Sequence, residues 1–213
     1  MPFGSQVADV NNIPGPNVYV PGVGFKMLQG GINFVDGSSN DSAPAAVAQV
    51  GGGKQTYGVA YIAAAFAFAG DWLVLGGSAS KTVKLVSIII SAVATAAVDV
   101  DLSIEKRSTA DTAGTKITAN ALVPYDSNNA AATGTVDAYS AVPTAGTLVG
   151  ILAAQKLQAA AAGGQATPIV FDFRQGAMQL PTLRGTAQQL ALKGSATLGT
   201  GGSANVYIIF TEE

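Results

Sequence analysis

The chain has 213 residues, 48% of them apolar and only 11% charged, with a net charge of −2, no histidine and no cysteine. Eleven basic residues without a basic run are too scattered to displace counterions from a nucleic acid or to hold an anionic membrane surface. The missing residue types exclude disulfides, thiolate nucleophiles, cysteine and histidine metal ligands and serine–histidine catalysis. Soluble domains carry about 25% charged residues, so a surface this poor in charge points to assembly with neighbours.

The first residues, "MPFGSQVADV", lack the basic region and apolar stretch of a secretory signal. "NNIPGPNVYVPGVGF" then spaces Pro14, Pro16 and Pro21 among Gly15, Gly22 and Gly24, so no helix can propagate through it. "FKMLQGGINFV" has room for one short strand, and the polar, Gly-rich run up to residue 53 reads as a linker. Residues 1–53 are therefore expected to be an extended N-terminal arm that orders against a partner or the main domain. Residues 54–213 form the second unit.

In that unit, short apolar segments alternate with turn residues. Strands are expected around Tyr57, Val59 and Tyr61, at Trp72 to Leu75, Thr82 to Ala94 and Ala97 to Arg107. Others are expected at Thr135 to Ser140, Leu148 to Ala154, Ile169 to Phe173, Gln188 to Leu192 and Asn205 to Thr211. Gln155 to Ala162 is Ala-rich and fits a helical turn, stopped by Gly163 and Gly164. The final strand is apolar on both faces, which suits a central strand or one covered by a second subunit. Eight or nine short strands without a long amphipathic helix predict an all-β antiparallel sandwich or barrel. The apolar runs Leu85 to Val98 and Gly58 to Leu75 are interrupted by polar residues and fit the core of a soluble protein, with no membrane span.

"VDVDLSIEKRS", residues 98–108, places Asp99, Asp101, Ser103 and Glu105 opposite Val98, Val100, Leu102 and Ile104. Acidic residues two apart on one strand face could start a calcium site, but no loop of further oxygen ligands follows. Period-two alternation instead marks a half-buried strand with a solvated or interfacial outer face.

A search for catalysis ends without an active site. "GGGKQT" resembles a phosphate-binding loop, but Ala48 stands where a glycine is needed and Gln55 where a Ser or Thr is needed. Gly22 and Gly24 lack the third glycine of a dinucleotide fingerprint. Ser80 and Lys81 lack the spacing of a serine–lysine pair. Glu105, Asp126, Asp137 and Asp172 could supply a carboxylate pair only if the fold brought two of them together. "NDS" at Asn40 to Ser42 satisfies the glycosylation pattern. Trp72, Tyr57, Tyr61, Phe66, Phe68, Phe171, Phe173, Tyr207 and Phe210 alternate with small residues as core aromatics do, and an exposed sugar platform is the other reading. No catalytic, cofactor or metal residue is assigned.

"IEKRSTADTAGT", "VPYDSNNAAATGTVDAYSAVPTAGTLVG", "LRGTAQQLAL" and the ending "NVYIIFTEE" resemble, as a set, a group of small virion structural proteins of tailed bacteriophages, encoded near capsid and head genes. The resemblance covers residues 57–213 and leaves the arm unmatched. It implies a jelly-roll-like β-sandwich, made in the host cytoplasm and carried on the outer capsid surface as a decoration (cement) protein. The implied partners are the major capsid protein and further copies of the chain, as a homodimer or homotrimer. It implies no enzyme activity and no cofactor. A glycan- or receptor-binding module of a head or tail fibre, and a hydrolase using two carboxylates, are the other classes to test.

Overall fold

The computed structural model describes residues 17–20, 24–27, 54–174 and 179–213. The chain divides into two compact units, Met1–Gly52 and Gly53–Glu213. In the first, β1 (Asn17–Val20) and β2 (Gly24–Met27) pair as an antiparallel hairpin in which Asn17 faces Met27. β2 coincides with the start of the strand expected from Phe25. The rest of the expected arm, the linker and the Asn40 to Ser42 triplet lie outside the described residues.

The second unit is all-β, and no helix occurs among its described residues. Its strands are β3 (Gln55–Ala64), β4 (Gly70–Gly76), β5 (Thr82–Ala94), β6 (Val98–Arg107), β7 (Thr115–Lys116), β8 (Val123–Pro124) and β9 (Thr135–Ala141). They continue as β10 (Leu148–Ala161), β11 (Ile169–Asp172), β12 (Thr182–Arg184), β13 (Gln189–Gly194) and β14 (Ser203–Glu212). All twelve belong to one curled sheet.

The pairing is nested. β3 pairs with β14, β4 with β13, β5 with β11 and β12, and β6 with β10, every pair antiparallel. β14 also pairs with β5, and β13 with β6. Taking β11 and β12 as one interrupted strand, first meets last, second meets second-last, and so inward. A long antiparallel hairpin rolled up on itself gives this order, and it is compatible with a jelly-roll sandwich. β7, β8 and β9 are inserted between β6 and β10; β9 extends the sheet beyond β4, and β8 extends it beyond β3. The one parallel contact, Ala160 and Ala161 of β10 with Val93 and Ala94 of β5, makes the sheet mixed.

Both arcs of the curled sheet face the same core. Trp72, Leu73 and Leu75 of β4, Val100, Leu102 and Ile104 of β6, and Leu85, Ile88 and Ile90 of β5 belong to one buried cluster with Tyr57, Tyr61 and Phe210. Two hydrogen bonds span the interior: the Tyr61 hydroxyl donates to Val136 O at 3.0 Å, and Lys106 Nζ donates to Thr182 O at 2.9 Å. Trp72 stacks on Phe66 with ring centroids 4.8 Å apart, and its indole N–H donates to Phe68 O. Gly194 is required beside it, because a Cβ there would stand 2.5 Å from the indole ring.

The helical turn expected at Gln155 to Ala162 is instead the second half of β10. Its backbone is held by β6, with Gln155 opposite Leu102 and Ala159 opposite Val98. Helix propensity is a weak preference, and a ladder of partners along a neighbouring strand outweighs it.

Candidate interaction surface

The carboxylate-bearing face of β6 divides in two. Asp99 and Asp101 are exposed, as the alternation predicts, and Asp101 pairs at 2.7 Å with Lys156 on β10, which is also exposed. Glu105 and Arg107 lie on the same outer face but are buried, 4% and 2% exposed. Burial of Glu105 corrects the expectation of a wet face along the whole strand. The chain after β6 folds back over this end, bringing Asp111 and Gly146 onto the guanidinium.

Arg107 Nη2 donates to Glu105 at 2.8 Å and to Asp71 on β4 at 2.9 Å, and Nη1 donates to Gly146 O at 2.9 Å. Asp111 lies 3.7 Å from Arg107 Nε, accepts from the Gly146 N–H, and its own N–H donates to the Gln189 side chain. Lys193 reaches Glu105 at 3.2 Å. Three carboxylates thus meet two cations. Burial pushes the Asp71 carboxyl up to about 6; Arg107 opposes the rise, and Asp111 adds to it. Burial and then Asp137 push the Tyr139 phenol up to about 12. Arg107 sits where a bound cation would sit, so this arrangement clasps a loop.

A second clasp fixes the start of β9. Glu212, on the last strand, accepts from the N–H groups of Thr133 and Gly134 at 2.8 and 2.6 Å and pairs with Lys81 at 3.2 Å. Lys81 is thereby committed to Glu212 and to Gln55, apart from Ser80. The carboxylates considered for hydrolysis are also engaged separately. Asp137 pairs with Lys116, Asp172 with Arg174, and Asp126 caps the turn at Asn128. Among the described residues no group of three or more His, Cys, Asp or Glu side chains is placed to hold a metal ion.

Of the nine aromatics read as core, Tyr57, Tyr61, Phe66, Trp72, Phe171 and Phe210 are buried, Phe68 and Phe173 are half-buried against the core, and Tyr207 is half-buried outside it. Tyr125 is exposed, and its hydroxyl meets that of Tyr207 at 2.6 Å.

Among the described residues, the run of neighbouring exposed large apolar side chains on one strand is the first half of β10. Leu148, Val149, Ile151 and Leu152 are 51, 62, 60 and 44% exposed. No charged side chain occurs from Ala138 to Gln155. Such a strip was detectable in the sequence as the longest charge-free approach to an apolar strand in that part of the chain. What the sequence did not disclose is that it would be left uncovered. Comparison of the chain with protein-family models, with curated proteins and with solved structures gave no match.

Proposed function

We propose that the chain is a non-enzymatic virion structural protein that decorates the outside of a phage head shell. The reading rests on the resemblance of residues 57–213 to phage virion proteins. The observation that carries it further is a contrast within one body: a closed core whose buried charges are spent on fixing loops, beside an exposed apolar half-strand, Leu148 to Ala154, free of charge. That combination suits a protein whose work is contact. A decoration protein stabilises a shell by repeating a modest contact many times, so that each weak attachment is strengthened by its neighbours. In this reading residues 1–53 reach over the shell or an adjacent copy, and the β domain sits above a junction of shell subunits.

The test is co-sedimentation of the chain with purified shells, with and without residues 1–53. Attachment by the full chain and its loss in a truncated chain that still melts cooperatively is the expected result. Equal attachment of both overturns the role given to the arm.

A glycan-binding fibre module is the second reading, favoured by exposed Tyr125 beside Tyr207. It requires sugar binding that Tyr125→Ala abolishes.

A further inference from the structure

Three polar side chains meet at the end of β14, and the strand register puts them there. Glu212 stands opposite Gln55 of β3 on one side and opposite Val83 of β5 on the other. Lys81 precedes Val83 by two residues, so it falls on the same face. Its ammonium lies 2.6 Å from Gln55 Oε1 and 3.2 Å from Glu212 Oε2. Among the described residues of the β unit, Lys81 is the lysine that meets both a carboxylate and a side-chain amide. The others reach carboxylates or a backbone carbonyl. Glu212 is 2% exposed and is fixed independently of Lys81: the Thr133 and Gly134 N–H groups donate to Oε1, and the Thr133 hydroxyl donates to Oε2 at 3.1 Å. A carbonyl bond adds only about 1.2 Å, which places Lys81 Nζ within about 4 Å of Gln55 Cδ. Reacting atoms in a near-attack arrangement stand roughly 3–3.5 Å apart. The terminal torsion of glutamine is broad, so a small rotation turns the carbonyl carbon toward the nitrogen.

We propose that Lys81 and Gln55 are the site of a self-made isopeptide cross-link, with Glu212 carrying the protons. Glu212 takes a proton from the Lys81 ammonium, and the neutral amine adds to Gln55 Cδ. The Tyr57 hydroxyl, 3.4 Å from Gln55 Oε1 and otherwise donating to Ala130 O, turns to the oxyanion. Glu212 passes its proton to the departing Nε2, and the Cδ–Nε2 bond breaks. The proton left on the former amine goes with the ammonia as ammonium. A lysine ammonium and a carboxamide thus become a secondary amide and one ammonium ion, and no other reactant is consumed. The new bond ties β3 to the entry of β5 across the end of β14 and closes a loop that contains β4. Closing that loop restricts the unfolded chain. It also anchors covalently the strand that follows residues 1–53. The chemistry lies within the β unit and stands whether or not the capsid reading does.

The intact mass of the full chain, followed after purification at neutral pH, tests it. The expected mass is lower than the sequence requires by one ammonia. Digestion then yields a branched peptide that joins the segment of Gln55 to that of Lys81. Lys81→Arg and Gln55→Ala each give the full mass of their own sequences. Glu212→Gln keeps an oxygen that accepts from Thr133 and Gly134, and it forms the branch at least tenfold more slowly. Two results overturn the cross-link: a wild-type chain that stays at full mass, or an ammonia loss that maps to an asparagine succinimide. A Glu212→Gln chain that melts cooperatively and cross-links as fast as wild type overturns the role of Glu212. The wild-type peptide map decides on the cross-link even where a variant fails to fold.

Discussion

β14 and the first half of β10 are made of similar residues and meet opposite fates. "SANVYIIFTE" and "LVGILAA" are both rich in aliphatic side chains and poor in charge. β14 lies between β3 and β5, with Val206, Ile208 and Phe210 buried in the core. The first half of β10 has β6 on one side only, and four of its first five residues are large, apolar and exposed. Hydrophobicity therefore says that a strand needs cover, while the order of pairing decides whether the chain itself provides it. Where it does, apolar residues stabilise the fold. Where it does not, they are available to a neighbour.

The contrast can be broken by mutation, and the largest effect is expected at the closed end. Phe210→Ala removes a fully buried ring stacked on Tyr57. It should cost about 3–5 kcal/mol of unfolding free energy in a denaturant titration. A loss below about 1 kcal/mol would show that the core is less tightly filled than its burial indicates.

The next effect concerns the clasp that fixes the loop leading into β10. Asp71 has a folded-state pKa of about 6, above the ordinary 3.8. Between those values the folded chain holds a proton that the unfolded chain has released. Stability from this group is therefore greatest below that window and falls as pH rises through it. Asp71→Asn keeps an acceptor for Arg107 and can donate to Asp111, whose Oδ2 has no hydrogen-bond partner. The variant should be the more stable at pH 7, by on the order of 1–3 kcal/mol. The gap should close toward pH 4, as read by parallel melts of the two proteins. A gap independent of pH would contradict the assignment.

The smallest effect is expected on the open strand. Val149→Ser should change stability by no more than about 0.5 kcal/mol, since its side chain is already in water. A large loss would mean that something covers β10.

The sequence disclosed what alternation governs. β5, β6 and β14 are marked by period-two patterns, and the two-faced apolar pattern of β14 correctly identifies a central strand. Gln155 to Ala162 misled because composition there favours a helix while the register of Gln155 to Ala159 with Leu102 to Val98 imposes a strand. Burial of Glu105 was illegible for a different reason. Its outer-face position follows from the pattern, but its partner Arg107 is held in place by Asp111 and Gly146, which only the return of the chain over β6 supplies. Asp71, 34 positions upstream of Glu105, joins the same clasp through the pairing of β13 with both β4 and β6. The open strip on β10 shares this origin: its residues were visible, and its lack of a neighbour was a property of the whole topology.

The central claim, a protein of the virion surface that acts by repeated contact, is tested most directly by its copy number. Under the proposed virion role, quantitative mass spectrometry of purified particles would compare the chain with the shell subunit. The account predicts copies of the same order as the shell subunits. A handful per particle would favour a fibre module, and absence from the particle would contradict the account.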